Sequence, residues 1–208
     1  MQSISENSEY RISKMTDHTF INIESSRKEY EALPDAEWRK DYFNEENGGY
    51  IATHIFKVRD DMSIPGIAAE VIACRKLAET GKHILRLPEN IPELIDSTII
   101  VGKPYRKILK FKLKEPHPRG YPDAYFDGLT WDFKTSTFKN DDSIRQAIKD
   151  GRKADNLIFI VQKNENIGKL RRAIDREVGK RTADGSWIEL PDIYCLLGNR
   201  LTAVWQKQ

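Results

Sequence analysis

The dipeptide Asp127-Gly128, set between two runs of aromatic and apolar residues, constrains the fold of this chain more than any other feature. Both central residues of a two-residue type I′ turn need φ > 0, and Asp-Gly accepts that conformation, so Tyr121–Lys134 predicts a β-hairpin. The turn fixes the register: Phe126 faces Leu129, Ala124 faces Trp131, and Asp123 faces Asp132. Side chains alternate along a strand, so Asp123, Asp132 and Lys134 share one face. Ala124, Phe126, Leu129, Trp131 and Phe133 share the other, which is the core side. Like charges directly across a ladder weaken it. A divalent cation between the two carboxylates would resolve that conflict.

A second informative stretch begins at Pro65, which suits a first helical position, and ends at Gly81, which suits a C′ cap. On a helical wheel Glu70 lies among Ile67, Ala73, Cys74 and Leu77, in the middle of the apolar stripe. A buried carboxylate needs a partner or a metal; a wheel displaced by one position would instead leave Glu70 at the exposed edge. Elsewhere Tyr50–Phe56 and Lys82–Leu87 read as strands and Lys57–Ser63 as a polar loop. Ser143–Arg152 reads as a helix with Ile144, Ala147 and Ile148 inward. Leu157–Val161 is a continuous apolar run, expected as a strand covered on both faces. Asn166–Lys180 is an amphipathic basic helix, and Asp192–Leu197 with Leu201–Trp205 form a hairpin around Gly198-Asn199-Arg200.

Ahead of these elements, residues 1–45 read as a polar tail with short helices around Ser26–Leu33 and Asp35–Phe43, separated by Pro34. Residues 46–208 read as one α/β (α+β) domain with a mixed sheet flanked by helices. The chain of 208 residues is 39% apolar and 32% charged and has no apolar run of membrane-spanning length or signal-peptide h-region. Cys74 and Cys195 are far apart, which fits neither a zinc site nor a disulfide framework and suits a reducing compartment. A net charge of +2 implies no general attraction to nucleic acid. Any binding must come from local clustering: seven Lys/Arg lie between Lys103 and Arg119 against the single acid Glu115. Within that stretch Tyr105–Lys114 predicts a half-buried strand. The polar face carrying Lys110, Lys112 and Lys114, with Lys107 nearby, suits a phosphate backbone or a lysine-guarded sheet edge.

Pro122-Asp123 followed by Asp132-Phe133-Lys134 resembles the signature of the PD-(D/E)XK nuclease superfamily. The element order from Pro65 to Val161 resembles its restriction-endonuclease-like αβββαβ core. A looser similarity, carried by Gly48-Gly49, His54, Leu77 to Gly81 and the hairpin, links the chain to C-terminal toxin nucleases of contact-dependent inhibition and phage-associated systems. The resemblance implies hydrolysis of phosphodiester bonds in DNA or RNA, tRNA included, with Mg²⁺ or Mn²⁺ held by Asp123, Asp132, Glu70 and the Phe133 carbonyl. Lys134 would position or activate the attacking water. It also implies a cognate immunity protein, action in the cytoplasm, and delivery as the last module of a longer toxin or phage polypeptide. Thr135 and Ser136 add hydroxyls that could meet a phosphate. Two other readings stand beside this one: a metal-independent ribonuclease like barnase or the colicins, using His54 and Lys134, and a module that binds nucleic acid without cutting it.

Overall fold

The computed structural model describes residues 22–55, 57, 62–88, 122–135, 140–184 and 190–207. They build a mixed α/β fold around one eight-stranded sheet, whose strands lie side by side in sequence order. β1 (Trp38–Phe43) is antiparallel to β2 (Tyr50–His54), and β2 is parallel to β3 (His83–Arg86). The hairpin of β4 (Ala124–Phe126) and β5 (Leu129–Thr135) joins β3 antiparallel through β4. β6 (Asn156–Val161) and β7 (Asp192–Leu197) continue parallel to β5, and β8 (Arg200–Trp205) closes the sheet antiparallel. The described helices are α1 over 22–31, α2 (Pro65–Ala78), α3 (Asp141–Asp150) and α4 (Asn164–Asp184), with a 3₁₀ turn at Gly151–Lys153 after α3.

The Asp-Gly turn forms as its chemistry requires, with φ of 52° at Asp127 and 78° at Gly128. It sets Phe126 opposite Leu129 and Ala124 opposite Trp131. Ala124, Phe126, Trp131 and Phe133 pack under Ala73, Cys74 and Leu77 of α2, together with Ile51, Ile84 and Ile158. Leu129 does not join them: at the mouth of the turn it is exposed. Because side chains alternate, the opposite face carries Leu157, Phe159 and Val161, covered by Ile144 and Ile148 of α3 and Leu170, Ala173 and Ile174 of α4. A further cluster of Leu33, Trp38, Tyr50, Ala52, Leu85 and Leu87 packs with Tyr30 of α1.

The helix expected over Asp35–Phe43 is replaced by β1, and the sheet therefore begins before residue 46. A register shift between Lys40 and Tyr42 breaks the alternation that identifies a strand, so Trp38 and Phe43, an odd number of residues apart, pack in the same cluster. The expected strand Tyr105–Lys114, with Lys107, Lys110, Lys112 and Lys114, lies outside the described residues, as does Ser136.

The contact between the start of β2 and the end of α2 depends on Gly49. A Cβ there would lie 1.9 Å from the carbonyl oxygen of Ala78. Backbone cannot step aside as a side chain can, so Gly49→Ala is expected to cost about 2–3 kcal/mol or more. Urea unfolding of the two proteins measures it; a midpoint unchanged by the substitution would contradict the packing described.

Candidate active site

β4 begins at Ala124 while β5 runs on to Thr135, so Asp132–Thr135 pair with β6 but have no partner in β4. The ladder does not continue to a simple Asp123–Asp132 pair. The Asp123 N–H donates instead to the Trp131 carbonyl at 2.9 Å, and the Asp123 carbonyl accepts from the Leu87 N–H at 2.9 Å. The backbone donor left over on β5 is met by a side chain: the Phe133 N–H donates to Asp123 Oδ2 at 2.8 Å. N–H and C=O of one extended residue point to the same side, so the Phe133 carbonyl also faces toward Asp123. The result is a notch in the sheet, at the carboxyl ends of β2, β3 and β5. Open α/β sheets bind ligands at such ends.

Asp132 is fully buried on the α3 side of the notch. Lys134 Nζ lies 2.7 Å from its Oδ2, and Lys153 Nζ lies 2.8 Å from its Oδ1 and 3.6 Å from Asp123 Oδ1. Neither oxygen of Asp132 has a hydrogen bond of good geometry, so its compensation is ionic. Burial, and then the neighbouring Asp123 carboxylate, push Asp132 up to about 7 against the pull of both lysines. For Asp123 burial acts in the same direction but is outweighed by Lys153 and Lys57, which hold it below the usual carboxylate range. Two adjacent carboxylates are driven apart in this way because like charges in one buried site do not both ionise easily.

On the α2 side Glu70 is buried, as its place on the helical wheel requires. Its Oε1 meets Lys57 Nζ at 3.0 Å and Arg86 Nη2 at 3.2 Å, and Arg86 Nη1 donates to Thr53 Oγ1 at 3.2 Å. Burial alone would lower Lys57, but Glu70 and Asp123 overcome it and keep the ammonium charged. Glu70 is thus engaged by cations. Among the described residues no three carboxylate, histidine or cysteine side chains converge as a metal-binding group, and the acidic pair is Asp123 with Asp132.

Protein-family models, curated proteins and solved structures give no match to this chain. The site therefore rests on its own geometry.

The structure brings together Asp123, Asp132 and Lys134 and sets Glu70 behind them on the other face. Thr135 is exposed at the end of β5. His54 is elsewhere: it is buried edge-on against Trp38 with ring centroids 5.1 Å apart, and burial lowers it to about 4. β3 and β4 separate β2 from β5, which puts about 14 Å between the strands of His54 and Lys134. Three cations went unnoticed in the sequence. Arg86 had a signal, a charge inside the apolar run Ile84-Leu85-Arg86-Leu87. Lys57 and Lys153 had none, since one opens a polar stretch and the other follows a helix.

The displaced pKa of Asp132 sets a pH dependence. An ordinary aspartate titrates near about 4, so between about 4 and 7 the folded metal-free protein holds a proton at Asp132 that the unfolded chain has lost. Stability contributed by this group falls as pH rises through that window. His54, lowered to about 4, acts in the opposite sense, so the comparison must isolate Asp132. Asp132→Asn is expected to gain stability relative to the native protein between pH 5 and pH 8 in EDTA; urea midpoints with a pH-independent difference would contradict the assignment.

Proposed function

We propose that this protein is a metal-dependent nuclease that hydrolyses phosphodiester bonds, and that the notch beside β5 is its active site. The observation that carries the reading is the meeting of Asp123 and Asp132 where the ladder breaks, with two ammonium groups against a wholly buried carboxylate. Buried oxygens that lack well-formed hydrogen bonds suit a hard cation, and Mg²⁺ commonly uses one or two carboxylates, with water and substrate oxygens completing its shell. Asp123 and Asp132 would hold the ion, joined by the Phe133 carbonyl. Such an ion, when bound, stabilises charge on the scissile phosphate and lowers the pKa of water.

The chain's own residues supply the rest. Lys134 is the more exposed of the two lysines that contact Asp132. Its ammonium is placed to orient an attacking water and to offset negative charge developing on the phosphate. Lys57 and Arg86 keep the α2 side of the notch cationic around Glu70. Thr135 continues the same strand into solvent with a hydroxyl for a phosphate oxygen. The basic stretch Lys103–Arg119, with Lys107, Lys110, Lys112 and Lys114, would supply salt-dependent affinity for the substrate backbone. Under this reading the resemblance to toxin nucleases adds a partner: an immunity protein that neutralises the enzyme by covering the notch. His54, buried and held neutral, gives less support to acid–base chemistry without a metal.

The test is cleavage of plasmid DNA and of total tRNA by the native protein, Asp132→Asn and Lys134→Met, each with Mg²⁺ and with EDTA. Cleavage is expected only with the ion and not with Asp132→Asn, while Lys134→Met loses roughly 10²–10³ in turnover. The polymer that is cut identifies the substrate. Cleavage that survives both EDTA and Asp132→Asn would overturn the proposal, and binding of either polymer without cleavage would favour a binding module.

A further inference from the structure

Lys153 belongs to no motif, yet among the described residues it contacts both carboxylates, at 2.8 Å from Asp132 and 3.6 Å from Asp123. Lys134 touches Asp132 alone among the pair. From this difference we infer that Lys153 is a built-in counter-cation that holds the acidic pair in the metal-free protein and must be displaced when a divalent ion binds. The inference rests on the metal-dependent reading of the site.

The local structure makes the backbone of Lys153 a fixed post. A Cβ on Gly151 would come within 2.8 Å of Leu157 Cδ2, so the 3₁₀ turn is pressed directly onto β6. Two residues beyond Lys153, Asp155 is tied to β5. Its Oδ2 accepts from the Thr130 N–H at 2.9 Å and from the Thr130 hydroxyl at 2.7 Å, while its own N–H donates to Thr130 Oγ1 at 3.0 Å. Movement therefore belongs to the side chain, whose flexible four-carbon stem ends in a single compact charge. Its position between two carboxylates favours the charged form of the ammonium.

Charge balance gives the reason for displacement. With Asp132 ionised, Asp123 and Asp132 against Lys134 and Lys153 sum to zero. An ion shared by the two carboxylates competes for the oxygens that Lys153 Nζ now occupies, and it would add two positive charges beside two ammonium groups in a site shielded from water. Withdrawal of Lys153 relieves both conflicts. The same contact protects the apo protein from an uncompensated buried carboxylate pair.

The experiment is calorimetric titration of Mn²⁺ into the native protein, Lys153→Met and Lys153→Arg, without nucleic acid, with circular dichroism confirming the fold. Removing the charge removes a cation that opposes the ion and is expected to tighten Mn²⁺ binding by roughly tenfold or more. A guanidinium, which can grip two carboxylate oxygens at once, is expected to weaken it, so affinity should run Met, then Lys, then Arg. Should Lys153→Met not fold in EDTA, the Lys153→Arg arm decides alone. Native uptake of Mn²⁺ with no gain in Lys153→Met, or with Lys153→Arg binding as tightly as the native protein, would overturn the inference and leave the metal reading standing. No uptake by the native protein or either variant would remove the metal reading and this inference with it.

Discussion

Asp132 is a carboxylate with no exposure to water, and a charge in that position persists only where other charges compensate it. The compensation comes from elements far apart in sequence. Lys134 follows it on β5, Lys153 arrives from the turn after α3, and Asp123 sits across the gap left by the short strand β4. Each of these positions depends on ordinary packing: the α2 core fixes β4 and β5 from one side, and α3 and α4 press the neighbouring β6 from the other. The site is therefore a place where a well-packed sheet is interrupted, and the interruption is what lets side chains from both faces approach one another.

The early end of β4 explains why the two faces communicate. Where a ladder is intact, Asp132 and Glu70 would be separated by backbone. Here the Asp123 side chain replaces a strand partner for Phe133, and Asp123 feels Lys153 from the α3 side and Lys57 from the α2 side. Asp123 is thus held ionised while Asp132 is pushed toward neutrality. A pair with split affinities for protons is suited to exchange them for a metal ion, since one member is already charged and the other gains most from a new cation.

Those parts of the molecule governed by local chemistry were legible in the sequence. Asp127-Gly128 dictated the register of the hairpin and so the shared face of Asp132 and Lys134. Pro65 and Gly81 bound α2, and the apolar stripe marks Glu70 as anomalous from its position alone. The run Leu157–Val161 identified β6 because a strand covered on both faces needs no alternation. What escaped was set by irregularity or by tertiary convergence. The bulge in β1 disguised a strand as a helix, and the ladder slip at Asp123 replaced a face-to-face pair with a backbone-to-carboxylate bond. Lys57 and Lys153 reach the notch through folding of the whole sheet, which no local spacing records.

The proposed activity requires that Asp123 and Asp132 take a divalent ion between them. The most direct measurement is anomalous diffraction at the manganese edge from crystals of the native protein soaked in Mn²⁺, paired with Asp132→Asn crystals treated identically. A strong anomalous peak bounded by Asp123, Asp132 and the Phe133 carbonyl, absent from Asp132→Asn, is the predicted result. A notch without a peak while Mn²⁺ occupies another site, or a peak that persists in Asp132→Asn, would contradict it.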